Sequence, residues 1–285
     1  MSLYRKLSAF SLAEVLIVLG IVGSISAFTI PSLTSSSNYK ERVTQLKKAY
    51  TILNDAQGRS IASYGQLRTW FKQDSSAKAY TKRYYDRMAD FIKIGKGGSS
   101  SSVTDCFGGV SGTGSNSSKY SVGTLSNSTM DLAATFGFTF ANSYQFILAD
   151  ETSMLIAITD KTCSTNKAII TTNCPGTYCN ICGYAFVDLD GPRKGKNTLG
   201  KDIFGFYIEK NAITPMGGRA SNMQGSLTAS TVAAENTAIT NTCFTTGNLC
   251  TSWVLENESL DYLNAIKGVC DGNGKNLSWS VITCK

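Results

Sequence analysis

Nine cysteines are the first residues of this chain whose type and spacing could do chemistry: Cys106, Cys163, Cys174, Cys179, Cys182, Cys243, Cys250, Cys270 and Cys284, all beyond residue 100. The run Cys163-x10-Cys174-x4-Cys179-x2-Cys182 could hold zinc through four thiolates, since Cys-x2-Cys is a common half-site. Zinc ribbons usually show two such close pairs, and this run has one. The other chemistry open to clustered thiols is oxidation to disulfides in an exported domain. Cys270 with Cys284 would close a loop worth roughly 3 kcal/mol in the chain-entropy picture. Cys243 and Cys250 would close another, although Cys250 could equally cross to Cys270. An odd count leaves at least one thiol unpaired or paired between chains.

Histidine is absent, which removes imidazole-based triads and histidine zinc sites. No Ser-Lys or carboxylate-pair motif takes their place. Asp150-Glu151 sits between two strand-like runs and reads as a hairpin turn. Gly97-Gly98 and Gly217-Gly218 lack the strand–loop–helix setting of a phosphate loop. The chain therefore reads as a protein without catalytic function. Its net charge of +7 is spread along the sequence rather than massed in one block. That gives weak support to a nucleic-acid or lipid partner and is accounted for by an ordinary solvated surface.

The elements that position these residues change character along the chain. Residues 1–9, MSLYRKLSA, form a short polar and basic leader. Residues 10–33 are apolar except for Glu14, small hydroxyl residues and two glycines. As a helix they would reach about 36 Å, enough to cross a bilayer. A carboxylate there is conspicuous, because an ionisable residue at the centre of a span costs roughly 2.5–3.5 kcal/mol. Pro31 is expected to loosen the helix near the end of the run. Over 34–64 the apolar residues Tyr39, Val43, Leu46, Tyr50 and Leu53 recur at steps of four and three, one face of an amphipathic continuation.

The remainder, 65–285, reads as a globular head. A second helix is expected over 66–94. Gly or Ser fills 18 of the 32 positions in 97–128, a loop composition. Strands follow within 144–213: two in "YQFILADETSMLIAIT" (144–159) and two or three in "YAFVDLDG" and "DIFGFYIEKNAI", rich in aromatic and β-branched residues. Residues 217–247 again read as loop. The Cys-rich region 243–285 is expected to add a short strand and a helical turn, with Trp253 and Trp279 in the core of a C-terminal sheet. The fold class is α+β, one long helix and an antiparallel sheet.

At Ala-Phe-Ser-Leu-Ala-Glu (9–14) the chain resembles the prepilin processing site of bacterial type IV pilins and type II secretion pseudopilins. The family carries a basic leader, a small residue before the cut, an N-methylated Phe and Glu as the fifth mature residue. The resemblance implies cleavage between Ala9 and Phe10, methylation of Phe10 and an assembly role for Glu14. Pro31 falls where pilins commonly have a helix-loosening proline. Ala9 departs from the Gly that the family nearly always has. The likeness covers about the first 45 residues, with leader, junction, Glu spacing, apolar run and amphipathic continuation all in register. It implies a pilin-like fold and a place in the bacterial inner membrane before assembly, with the head in the periplasm or outside. It further implies a periplasmic pseudopilus or cell-surface pilus as destination. The partners it implies are other subunits of the fibre, a prepilin peptidase and N-methyltransferase, and an inner-membrane assembly platform.

A second stretch, "FVDLDGPRKGKNTLGKDIFGF" (186–206), is similar to a loop segment of many pilin-like secretion proteins. It brings Asp188, Asp190, Asn197 and Asp202 into one inter-strand loop. Hard oxygen ligands at such spacing suit Ca²⁺, and the resemblance implies a calcium loop. The same side chains also cap turns and accept backbone N–H bonds. Two other readings of the N-terminus remain. One is a secretory signal peptide with Arg5-Lys6 as its basic region and cleavage before Ala27, giving a soluble disulfide-rich binding protein. The other is an uncleaved anchor. Basic residues flank the apolar run on both sides, so the positive-inside rule does not choose among them.

Overall fold

The computed structural model describes residues 11–97, 121–164, 180–192, 197–217, 240–266, 268–270 and 274–284, with the backbone alone for 27–37 and Phe140. The chain divides into two units, Met1–Glu41 and Arg42–Lys285. Helix α1, Leu12–Tyr64, contributes to both and passes Pro31 as helix.

In the first unit the apolar side chains of α1 face outward. Leu12 is 80% exposed, Val15 44%, and Leu16, Ile17, Val18, Leu19, Ile21, Val22 and Ile25 lie between. Among the described residues no helix is long and apolar enough to cross a membrane. Part of the expected span, Phe10 and the side chains from Ala27 to Leu33, lies outside the described residues.

In the second unit α1 buries Val43, Leu46, Ala49, Leu53 and Ala56 along one face, the helical period at work. Tyr50 stacks on Phe206 with ring centroids 5.7 Å apart. Gly65, in the left-handed region at φ 79°, ends the helix by donating its amide to the Ile61 carbonyl at 2.9 Å. The single helix expected over 66–94 is in fact two, α2 (Leu67–Trp70) and α3 (Ala77–Ala89). The break falls at Asp74-Ser75-Ser76, whose short polar side chains compete for the backbone. Ser76 is extended and caps α3 through the Ala79 amide at 3.3 Å.

Six strands form one antiparallel sheet in the order β1-β4-β5-β6-β7-β8. They are Ile94–Gly97, Ser143–Leu148, Ser153–Ile158, Ile181–Asp188, Ile203–Glu209 and Ile213–Pro215. The register Tyr144↔Ile156↔Ala185↔Phe206 puts one set of side chains towards the helices. There Tyr85 of α3 stacks on Tyr144 at 5.2 Å. The alternate set, with Leu155 opposite Phe186, packs into a cluster with Val122, Leu132, Phe138, Leu199, Met216 and Leu249. Because both faces are covered, all eight residues of β6 are buried. This accounts for continuous apolar runs where a sheet with one wet face would alternate.

Three expectations need correction. The stretch 97–128 is not loop throughout: Gly97 ends β1, and β2 (Ser121–Gly123) pairs with β3 (Thr129–Asp131), while 98–120 lie outside the described residues. Asp131 then caps the short helix α4 (Leu132–Phe136) through the amides of Ala133 and Ala134 at 2.9 and 3.1 Å. Residues 240–246, read as loop, are helical, and 218–239 lie outside the described residues. Finally, Trp253 belongs to the helix Cys250–Asn257 rather than to a sheet. It is buried against Phe244 and Trp279, at centroid distances of 5.0 and 4.9 Å. Aromatic contacts hold this region more than strand pairing does, which is why β-like composition misled there.

Among the described residues three disulfides are formed: Cys163–Cys182, Cys243–Cys250 and Cys270–Cys284. The first takes two of the four thiolates that a zinc site over 163–182 would need. The second excludes the crossing of Cys250 to Cys270. Cys106, Cys174 and Cys179 lie outside the described residues.

Candidate functional site

Two places gather the residues that the sequence singles out. The first is the start of α1. The Ser11 amide and hydroxyl both donate to Glu14 Oε2, at 2.8 and 3.0 Å, and the Glu14 amide donates to Ser11 Oγ at 3.3 Å. This is a capping box, Ser-x-x-Glu, which satisfies amide donors that the first helical turn would leave open. The negative carboxylate also complements the positive end of the helix dipole. Ala9 and Phe10, expected to flank the processing cut, lie outside the described residues.

The second place is the loop between β6 and β7. Asp188 ends β6, directly opposite Ser153 of β5 and Ile203 of β7. Asp188, Asn197 and Asp202 are buried. The loop is held from several sides. Gly123 of β2 donates to the Asn197 carbonyl at 2.8 Å and accepts from the Leu199 amide at 2.8 Å. Leu189 donates to the Asp202 carbonyl at 3.0 Å, and the Tyr262 hydroxyl donates to the Gly200 carbonyl. Gly200, at φ 74°, packs against Gly247, whose added Cβ would lie 1.9 Å from the Leu199 carbonyl oxygen. Only glycine fits that approach.

Arg42 of α1 enters this loop. Its Nη1 donates to Asp202 Oδ1 and, at 2.7 Å, to the Lys201 carbonyl, while Nη2 lies 3.6 Å from Asp190 Oδ2. Burial, followed by the neighbouring Asp190 carboxylate, pushes the Asp188 carboxyl up to about 8. The Asp190 and Gly191 amides and the Asp190 carboxyl are near enough to act on that ionisation. Even so, no donor meets hydrogen-bond geometry at either buried Asp188 oxygen, nor at Asp190 Oδ1. Among the described residues no three His, Cys, Asp or Glu side chains come together in a group that could hold a metal ion. The loop therefore sets Asp190 and Asp202 against the Arg42 guanidinium, and as arranged its described acids do not fit a calcium centre.

Sequence reasoning missed Ser11 and Arg42. Ser11 was legible, since Ser-x-x-Glu before an apolar run spells a capping box. Arg42 was not, because its partner Asp202 lies 160 residues away in sequence. The turn reading of Asp150-Glu151 agrees with the geometry. Glu151 adopts φ 71°, and its amide donates to the Leu148 carbonyl at 3.1 Å. No protein-family model matches the chain, and no curated protein or solved structure matches it either.

Proposed function

We propose that this chain is a structural subunit of a type IV pilus or type II secretion pseudopilus, not an enzyme. In this reading it is cleaved between Ala9 and Phe10, methylated on Phe10 and held in the bacterial inner membrane through residues 10–33 until it is drawn into a helical fibre. The observation that carries the reading is the capped start of α1, from which a run of apolar side chains, Leu12 to Ile25, stands exposed. An uncovered apolar surface of that extent calls for lipid or for other copies of the same helix. Helices bundled in an apolar fibre core bury the protonated amine of Phe10 from one subunit, and Glu14 of a neighbour supplies the counter-charge. Such a pair fixes register more than it adds stability, while packing of residues 10–33 supplies the adhesion. The disulfides of the second unit fit a head that folds outside the cytoplasm.

The test is fibre yield in the sheared surface or periplasmic fraction of the native host. Glu14→Ala is expected to be processed normally and to enter fibres poorly. Normal fibre output from that variant would remove the proposed role of Glu14.

A further inference from the structure

We propose that the recess between α1, the segment 91–93 and the β4–β5 turn is a binding site for a small apolar monocarboxylate, an aryl or short alkyl acid. Lys48, Ile52 and Asp55 reach it from α1 at i, i+4 and i+7, one face of the helix. Ile52 and Phe91 are half-buried there, while Ile92 and Leu148 are 7% and 4% exposed. These four side chains line a cavity of about 250 Å³. Ligand sites usually span about 300–1,000 Å³ and are walled by apolar side chains with a few polar groups. Just below that range, the recess takes one ring or a chain of a few carbons. It stays open because Ala149 at the turn offers only a methyl group to fill it.

The walls are braced by the chain itself. The Ala149 amide donates to the Lys93 carbonyl at 3.1 Å, and Lys48 Nζ lies 2.6 Å from Asp150 Oδ2, which ties the turn to α1. Asp55 pairs along its own helix with Arg59 at 2.9 Å. Both carboxylates of the rim and Lys48 are thus engaged. Lys93, exposed at the same rim, meets no carboxylate among the described residues. An apolar floor under one open ammonium fits a guest with an apolar body and a single negative charge. Burial of the body supplies the affinity, and the ammonium orients the carboxylate. A second negative charge would face Asp55 and Asp150, so phosphate monoesters and dicarboxylates are disfavoured.

The experiment is fluorine NMR of para-fluorophenylacetate with the full-length chain in detergent micelles, read as line broadening beyond that in empty micelles. Broadening is expected at millimolar probe, to be reversed by unfluorinated phenylacetate and not by phenyl phosphate. Lys93→Ala is expected to weaken binding about fivefold, the upper worth of one exposed charge pair. Ala149→Leu, which fills the recess, is expected to abolish binding while the chain keeps a cooperative thermal unfolding transition. Broadening no greater than in empty micelles would overturn the inference, as would broadening that survives Ala149→Leu. Competition by phenyl phosphate equal to that by phenylacetate would overturn it too. Should Ala149→Leu fail to fold, Lys93→Ala, a change at an exposed side chain, decides: wild-type affinity there sinks the inference. No readout depends on processing or fibre assembly, so the outcome is separate from that of the proposed function.

Discussion

The Ser11 hydroxyl and the Glu14 carboxylate cap the same helical turn, the serine donating to Oε2 at 3.0 Å while accepting the Glu14 amide at 3.3 Å. The conspicuous acid of the apolar run therefore has a local task before any intermolecular one. The two tasks separate by charge. Glu14→Gln retains an oxygen acceptor for the Ser11 amide and keeps the capping box, but it brings no counter-charge to a buried amine. We expect Glu14→Gln to assemble as poorly as Glu14→Ala, as measured by fibre yield. Wild-type yield from the glutamine variant would mean that capping is all the residue does.

The Asp74–Arg83 pair gives the head a defined acid sensitivity. Arg83 Nε and Nη2 donate to the two Asp74 oxygens at 2.6 and 2.8 Å. These bonds hold the Asp74 carboxyl below its ordinary 3.8. A depressed carboxylate adds stability that is fully present above the unfolded value and is lost as pH falls through the folded one. Asp74→Asn is therefore expected to destabilise the head at neutral pH, and the difference from wild type should shrink below about pH 4. Denaturant midpoints of both proteins across that range check it; a difference independent of pH would contradict it.

Gly247 tests the packing behind the acidic loop. Its φ of 80° and the 1.9 Å approach of an added Cβ to the Leu199 carbonyl oxygen leave no room for a side chain. Gly247→Ala should cost at least about 1–3 kcal/mol, the scale of one strained backbone position. Chemical unfolding with little change in stability would show that the loop can shift to accommodate the methyl group.

How far the sequence told this in advance depends on how local each determinant is. The helix through Val43, Leu46 and Leu53, the hairpin at Asp150-Glu151 and the strands over 181–209 were legible, because periodicity and turn chemistry reside in neighbouring residues. The break at Asp74–Ser76 is three short polar residues flanked on both sides by good helix formers. Its signal is the local cap at Ser76, whose hydroxyl accepts from the Ala79 amide. Trp253 carried no sign that it sits on a helix, since its burial depends on Phe244 and Trp279. The acidic loop was legible as a cluster of oxygens, yet its cation, Arg42, comes from another element altogether. Composition named the anions and could not name their partner.

Removing the last disulfide should matter, but modestly. Cys270 and Cys284 are joined across a separation of 14 residues. Replacing both with Ser is expected to cost roughly 3 kcal/mol through the freed unfolded chain. The loss should appear as a lower denaturant midpoint in the oxidised protein and vanish when wild type and variant are compared under reducing conditions. A difference that persists in reductant would assign the effect to packing instead.

The most direct test of the fibre-subunit reading is the mass of the mature N-terminus, taken by mass spectrometry of protein purified from its native host. The account predicts a chain that begins at N-methylated Phe10. A chain that begins at Ala27, or one that retains Met1, would contradict it.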